Sequence, residues 1–321
     1  MVRILSESDV AALLDLGELL PVIEDAFLAQ GRGEVERPER PHFPVGIGLD
    51  DEPLGTGLTM PAYVHGAERY ATKLASVHPG NPERGLSTVN AQIAVTDART
   101  GLPEAYMDGT RVTGARTGCI AGLAARDLAS DPLRVGIIGA GTQARWGTRA
   151  IAAGSDLEEV RIYSPSDSKR RCAADLTERG ITAKPVGSPE DAVAGADVVL
   201  TATTSEEPVF PGSALAPDAL VVAVGAYSGE MRELDGETIE RSEAVLADVP
   251  EEAIETGDLR DSGLSAADLV PLSDVFEGGF TRPEGVVVVS SVGSAVLDAA
   301  TADHLVERAE SQDRGRVVSL E

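Results

Sequence analysis

The period of the hydrophobic positions changes twice along the chain. Residues 7–30 repeat apolar side chains at spacings of three and four, which predicts helices broken near Gly17 and Pro21. From about 41 to 108 the pattern becomes short runs divided by turn residues, at 55–61, 70–77, 88–97 and 103–108, which predicts an antiparallel β region. An Ala- and Gly-rich helix over 110–129 follows. Beyond it strands and helices alternate. Strands are expected at 133–138, 159–164, 182–186, 197–202, 220–225, 244–248 and 286–290, and helices at 166–179 and at 189–195, where Ser188 is the N-cap and Pro189 opens the first turn. Such alternation predicts a parallel, doubly wound sheet with helices on both faces. The last helix, 294–310, is placed to return to the first domain. The chain therefore reads as α/β: a Rossmann-type dinucleotide-binding domain over 119–294, and an α+β domain formed by 1–118 with 295–321.

The first strand of the alternating half runs into a glycine-rich turn and a helix start, Leu133-Arg-Val-Gly-Ile-Ile-Gly-Ala-Gly-Thr-Gln-Ala144. Gly139 permits the tight turn, Gly141 lets the backbone approach a pyrophosphate, and small Ala144 lets the helix pack on its strand. Thr142 and Gln143 then stand at the helix N-terminus. At the end of the next strand an NAD-specific protein usually carries Asp or Glu for the ribose hydroxyls. Here Ser164, Pro165 and Ser166 stand there, followed by Lys169-Arg170-Arg171. Loss of the carboxylate removes repulsion against a 2′-phosphate, so NADP(H) is favoured over NAD(H); the other reading of the basic cluster is a solvated helix face. Thr203 and the run Ala223-Val224-Gly225 end later strands at the edge where ligands bind in this architecture.

Composition narrows the partners. The chain has 321 residues, of which 53 are acidic and 27 basic, for a net charge of −26. Only Lys73, Lys169 and Lys184 are lysines. So acidic a surface makes nucleic acid and anionic membranes poor partners, and its even spread along the chain is that of a halophile's cytoplasmic protein. No apolar run approaches the length of a membrane span, and the N-terminus lacks a signal-peptide layout. Cys119 and Cys172 lack metal-ligand spacing. In so lysine-poor a chain, Lys73 inside an otherwise apolar strand is either an exposed strand lysine or a buried proton-transfer group. Arg116, among small residues in Thr113-Gly-Ala-Arg-Thr-Gly-Cys119, is either a carboxylate clamp or half of a structural ion pair.

Taken jointly, the motifs resemble the ornithine cyclodeaminase/μ-crystallin family, which includes archaeal alanine dehydrogenases and ketimine reductases. The matching segments are Met60-Pro61, Lys73 with Val77-His-Pro-Gly-Asn81, Thr96-Asp-Ala-Arg-Thr-Gly101, Thr113-Gly-Ala-Arg-Thr117, the turn at 139–144, Gly195-Ala-Asp197 with Thr201-Ala-Thr203, Arg232-Glu-Leu-Asp235, Glu255-Thr-Gly-Asp-Leu259, and Ser291-Val-Gly293 with Asp298. The resemblance implies a homodimer whose first domain binds substrate and carries the dimer interface, with the active site beneath the nicotinamide. It implies that Arg40, Lys73 and Arg116 hold the substrate carboxylate, and that Thr117, Thr142, Gln143, Ser164, Thr203, Val224, Gly225 and Gly293 line the cofactor. Two positions depart from the family's namesake. Ornithine cyclodeaminases carry Glu where this chain has Leu58, and Asp where it has Tyr227. Without these carboxylates a distal amine loses its counter-charge and amine chemistry its base. The expected function is an NAD(P)H-dependent reductase of a small imine, ketimine or oxo acid, with Tyr227 a helper to Lys73. Alanine dehydrogenase and ornithine cyclodeaminase are the alternatives within enzymes, and a non-catalytic NADPH-binding protein is the alternative of another class.

Overall fold

The computed structural model describes residues 1–50 and 52–320. Along the chain lie β1 (Val2–Leu5), α1 (Glu7–Leu13), α2 (Leu16–Gly31), β2 (Val35–Glu36), β3 (His42–Val45), β4 (Gly55–Val64), β5 (Arg69–Val77), β6 (Val89–Asp97), β7 (Pro103–Asp108) and α3 (Gly109–Leu128). Then come β8 (Leu133–Ile138), α4 (Thr142–Gly154), β9 (Leu157–Tyr163), α5 (Ser168–Thr177), β10 (Ala183–Pro185), α6 (Pro189–Val193), β11 (Val198–Thr201), β12 (Leu220–Ala223), α7 (Gly236–Glu240) and β13 (Ser242–Ala247). The series ends with α8 (Pro250–Ala253), β14 (Val270–Pro271), α9 (Leu272–Phe276), β15 (Val286–Ser290), α10 (Ala295–Ser311) and β16 (Arg316–Val318).

The chain divides into two units: residues 1–15, 32–116 and 295–321 form the first, and 16–31 with 117–294 the second. In the first, one sheet has the order β16-β1-β7-β6-β5-β4-β2, with β3 also on β4. It is mixed rather than purely antiparallel, because β1 lies parallel to β7. Strands β1 and β16 carry no clear signal in the sequence; both are short, and they pair with each other through a contact that spans the whole chain. One face of this sheet is buried through Met60, Ala62, Ala71, Lys73, Ala75, Ile93 and Val95, and α10 lies over β4 and β5. The final helix thus groups with the first unit.

The second unit is a single sheet ordered β10-β9-β8-β11-β12-β15-β13-β14, in which every pairing is parallel. Strands β11, β12 and β15 are buried along their whole length, which is why they read as unbroken apolar runs. From β8 the chain winds outward through β9 to β10 and then crosses to β11 on the other side, so strand order reverses between β8 and β11. Ligands bind outside the strand carboxyl ends at such a reversal.

Two expectations about α2 are corrected. Helix α1 ends at Leu13 and α2 begins at Leu16, so the break falls at 14–15, not near Gly17 and Pro21; Pro21 lies inside the helix. An interior proline costs about 3 kcal/mol. The stripe Leu16, Leu19, Leu20, Ile23, Ala26 and Phe27 runs unbroken past it, and burial at about 1.5–3 kcal/mol for each large side chain outweighs that loss. Helix α2 packs on α4 and α9, with the Phe27 and Phe276 ring centroids 5.5 Å apart, so it groups with the second unit and not with the residues on either side of it.

Candidate active site

In the second unit, register puts the turn residues in one row. Ile138 lies beside Thr201 and Tyr163, Thr201 beside Ala223, Ala223 beside Ser290, and Ser290 beside Ala247. The residues that follow these strand ends are Gly139, Ser164, Ala202, Val224, Ser291 and Asp248. Parallel pairing therefore collects at one edge every cofactor residue read from the sequence except Thr117. That residue is buried on α3, beside Gly118, where a Cβ would come within 2.7 Å of the Trp146 backbone on α4.

Gly139 has φ 107°, and a Cβ there would come within 2.4 Å of the Ala202 carbonyl oxygen. A Cβ on Gly141 would meet no protein atom, so the protein's own packing does not require glycine at 141, whereas close approach of a phosphate would. Helix α4 starts at Thr142 with no side-chain cap and no acidic residue in its first turn, which leaves its N–H groups and positive end to an anion. These features fit a dinucleotide pyrophosphate. Gly139→Ala is expected to lower the melting temperature and abolish NADH binding, through a strained backbone of about 1–3 kcal/mol and a shifted turn; calorimetry and a binding titration check both.

At the end of β9 the Ser164 hydroxyl is 2.8 Å from Ser168 Oγ and donates to Ser166 O at 3.2 Å. Lys169 Nζ sits 4.7 Å from the Tyr163 ring centroid, and exposed Arg170 pairs with Asp167 at 3.4 Å. The position where NAD-specific proteins hold a carboxylate thus presents hydroxyls with cations nearby.

The first unit holds the substrate-side cluster. Lys73 pairs across β5 with Met60 on β4 and Ile93 on β6, all on the buried face. Its ammonium donates to Asp298 Oδ2 at 2.5 Å and to Thr113 Oγ1 at 3.4 Å. Arg116 Nε donates to the other oxygen, Asp298 Oδ1, at 3.0 Å. Lys73, Arg116 and Asp298 are 2%, 5% and 1% exposed. Burial drives the Lys73 ammonium down to about 8; Asp298 works against that, while Arg116 and Arg40 add to it by repulsion. Burial opposes ionisation of Asp298 as well, but Arg116 and Lys73 outweigh it and hold the carboxyl below its ordinary range. One carboxylate therefore serves two buried cations, with Arg40 close enough to act on Lys73. The surplus positive charge, and the Arg116 terminal nitrogens that Asp298 does not engage, suit a second carboxylate.

Lys73 is therefore buried, and Arg116 is half of a buried ion pair whose terminal nitrogens Asp298 does not engage. The partner of both was missed as such. Asp298 stood out only as a matched position, and the signal available was an aspartate on an otherwise apolar helix face. Leu58 lies two residues before Met60, on the same face of β4 as the residue opposite Lys73. An apolar side chain there offers no counter-charge of its own to a distal amine. Tyr227 belongs to the second unit, in the loop after β12, and is 41% exposed; burial of its hydroxyl raises its pKa.

Comparison with known proteins fits this geometry. The model of the ornithine cyclodeaminase/mu-crystallin family matches residues 2–313. The chain belongs to this family. Among family members, the Δ1-pyrroline-2-carboxylate reductase of Bacillus cereus is 32% identical over 99% of both chains. The solved structure of the Thermococcus litoralis Δ1-pyrroline-2-carboxylate reductase, in complex with NADH and L-proline, superposes with a TM-score of 0.92 at 31% identity, covering 99% of this chain and all of that one. An archaeal alanine dehydrogenase, solved as a dimer with bound NAD, has a TM-score of 0.90 at 28% identity, covering all of this chain and 99% of that one. Among the described residues of this family member no helix is long and apolar enough to cross a membrane.

Proposed function

We propose that this protein reduces a cyclic α-imino acid of the Δ1-pyrroline-2-carboxylate class to the corresponding amino acid. It is a nicotinamide-dependent oxidoreductase acting on C–N groups. The observation that carries the substrate assignment is the buried Lys73–Asp298–Arg116 cluster, in which two cations share one carboxylate and Leu58 offers no acid for a second amine. Arg116, with Arg40, holds the substrate carboxylate and fixes the neighbouring C=N carbon, so orientation is set before reaction. Gly139, Gly141 and the first turn of α4 would hold the nicotinamide dinucleotide, which when bound would supply hydride chemistry. Lys73 gives a proton to the imine nitrogen as that nitrogen becomes an amine, and Asp298 keeps its ammonium aimed while it does so. Tyr227 serves as a helper on the cofactor side.

An assay panel of Δ1-pyrroline-2-carboxylate, Δ1-piperideine-2-carboxylate, pyruvate with ammonia, and ornithine, each with NADH and NADPH, tests the reading. Turnover of the two imino acids well above the others is expected; tight cofactor binding without turnover of any of them overturns it. Ser164 and the Lys169–Arg171 cluster support a preference for NADPH, read from the same panel as the ratio of kcat/KM values.

The sign of the pH dependence follows from Lys73. Its proton is present below about 8 and lost above it. The imine-reducing kcat/KM is expected to fall as pH rises through that value, and oxidation of the product amino acid, which needs the neutral amine, to rise through it. Parallel profiles in both directions would refute Lys73 as the proton carrier.

The solvent face of the first unit's sheet carries Ile4, Tyr70, Leu74 and Tyr106, each 37–44% exposed. So apolar a face supports a homodimer built on this unit, and light scattering reads the mass directly. The net charge of −26 supports adaptation to high salt, which a melting temperature rising steeply with KCl would bear out.

A further inference from the structure

Glu233 lies between β12 and α7, on no strand or helix, and is fully buried. Its carboxylate ties together loops that leave two neighbouring strands. Oε2 accepts from the Thr201 hydroxyl at 2.8 Å and from the Gly225 N–H at 2.8 Å, and Oε1 accepts from the Thr203 N–H at 2.6 Å. Its backbone is fixed as well. The Glu233 carbonyl accepts from Val209 N, and its own N–H donates to Asp258 Oδ1 at 2.6 Å. The Gly225 backbone passes so close that a Cβ there would lie 2.6 Å from the Glu233 carboxyl group and 2.3 Å from the Thr203 carbonyl oxygen. Gly225 therefore has a reason to be glycine that involves no ligand: it makes room for this carboxylate.

The three donors that Glu233 collects stand at the carboxyl edge of β11 and β12, in the row of turns that carries Gly139. Without a common acceptor, the half-buried Thr203 and Gly225 amides and the buried Thr201 hydroxyl would lose the one group that joins them, and the spacing of the two loops would be free to vary. We propose that Glu233 is a positioning residue that sets the spacing of the Thr201–Thr203 and Val224–Gly225 loops, and through it the affinity for the dinucleotide. The proposal rests on the reading that this edge holds the cofactor. Glu233 touches no reacting atom; it acts through the backbone it holds.

The surroundings give the brace a distinctive readout. From the segment after α8, Asp258 faces Glu233, while the β11 and β12 loops face it only with hydroxyl and amide donors. Arg232, its chain neighbour, is turned to Gly257 O at 2.6 Å and to Asp261 at 2.7 Å. Burial, with repulsion from Asp258, pushes the Glu233 carboxyl up to about 7. Asp258 is raised too, by its own burial. The four histidines, His42, His65, His78 and His304, all belong to the first unit. Protonation converts one oxygen of the brace from acceptor to donor and slackens it.

NADH is titrated against wild type and Glu233→Gln at pH 6, 7 and 8 by nicotinamide fluorescence, with the melting temperature of each cofactor-free protein measured alongside. Wild type is expected to bind more weakly as pH falls. Glu233→Gln is expected to bind about tenfold more weakly at pH 8, as lost charge-assisted hydrogen bonds would give, with little dependence on pH, while its KM for the imino acid stays near wild type. Equal affinities of the two proteins across the range overturn the proposal, as does a variant that melts earlier but binds NADH with the wild-type affinity and pH profile. Failure of wild type itself to bind either NADH or NADPH would instead sink the reading of the edge as a cofactor site, so the two failures are distinguishable. If Glu233→Gln does not fold, Thr201→Val, which removes one donor with little change of shape, carries the test: a several-fold weaker affinity supports the brace and an unchanged one refutes it.

Discussion

Replacing Lys73 by methionine is expected to lower kcat for imino-acid reduction by about a thousandfold, within the range seen for loss of a positioned proton donor, while the NADH dissociation constant stays within about twofold. The separation follows from location: Lys73 belongs to the first unit, and the turns that fit a dinucleotide belong to the second. The fold should tolerate this change. Asp298 keeps Arg116 as its partner at 3.0 Å, so methionine leaves a one-to-one buried pair where two cations had shared one anion. Loss of one buried partner is costly where it leaves the other charge uncompensated, and here the carboxylate stays compensated by Arg116. Melting temperature, NADH titration and steady-state turnover on the same preparation check all three claims. A variant that melts as wild type yet keeps more than a tenth of its turnover would remove Lys73 from the reaction.

Asp298→Asn is expected to be the more damaging change to stability. It leaves Lys73 and Arg116 buried without their shared carboxylate, and breaking a buried pair in this way costs about 3–5 kcal/mol. The deficit should depend on pH. In the wild type the folded-state ammonium titrates at about 8, against 10.5 in a solvated lysine. The folded protein thus binds fewer protons than the unfolded chain between these values, and burial of the ammonium is relieved as pH rises. Removing Asp298 takes away the group that raises the Lys73 pKa, so the variant's lysine is neutral at a lower pH than the wild type's. At low pH the wild type gains from the Lys73–Asp298 attraction and the variant does not; that gain fades as pH rises to about 8, where the wild-type ammonium loses its proton, and is absent above it. Denaturant unfolding at pH 6, 8 and 10 should show the difference between the two proteins shrinking with pH, with a residue left at high pH because Arg116 still lacks its partner. A difference that grows with pH would contradict the assignment of Asp298 as their counter-ion.

Much of the molecule was legible along the chain because local periodicity reports burial. Strands alternating with helices named the parallel sheet, short runs divided by turn residues named β4 to β7, and Ser188 with Pro189 marked the start of α6, where Ser188 indeed accepts from Asp191 N. Errors fell where local preference lost to packing. Pro21 reads as a breaker, yet it stays inside α2 because the apolar stripe on either side of it has α4 and α9 to pack against. Strands β1 and β16 lack length of their own and form because each finds a partner from the opposite end of the chain.

The site divides the same way. The sequence by itself determined which residue types were available: a glycine-rich turn between strand and helix, a single lysine in an apolar strand, an arginine among small residues, and Leu58 where a diamine site needs an acid. Only the tertiary structure decided what those residues face. That Asp298, 225 positions beyond Lys73, closes its charge, and that Glu233 gathers donors from three other positions, depends on which strands pair in which register and which helix returns to cover them. Such contacts have large sequence separation and no period. They arise because a buried charge or amide must find a partner within about 3 Å wherever the backbone brings one, a condition imposed by desolvation in three dimensions and left unmarked by neighbours in sequence.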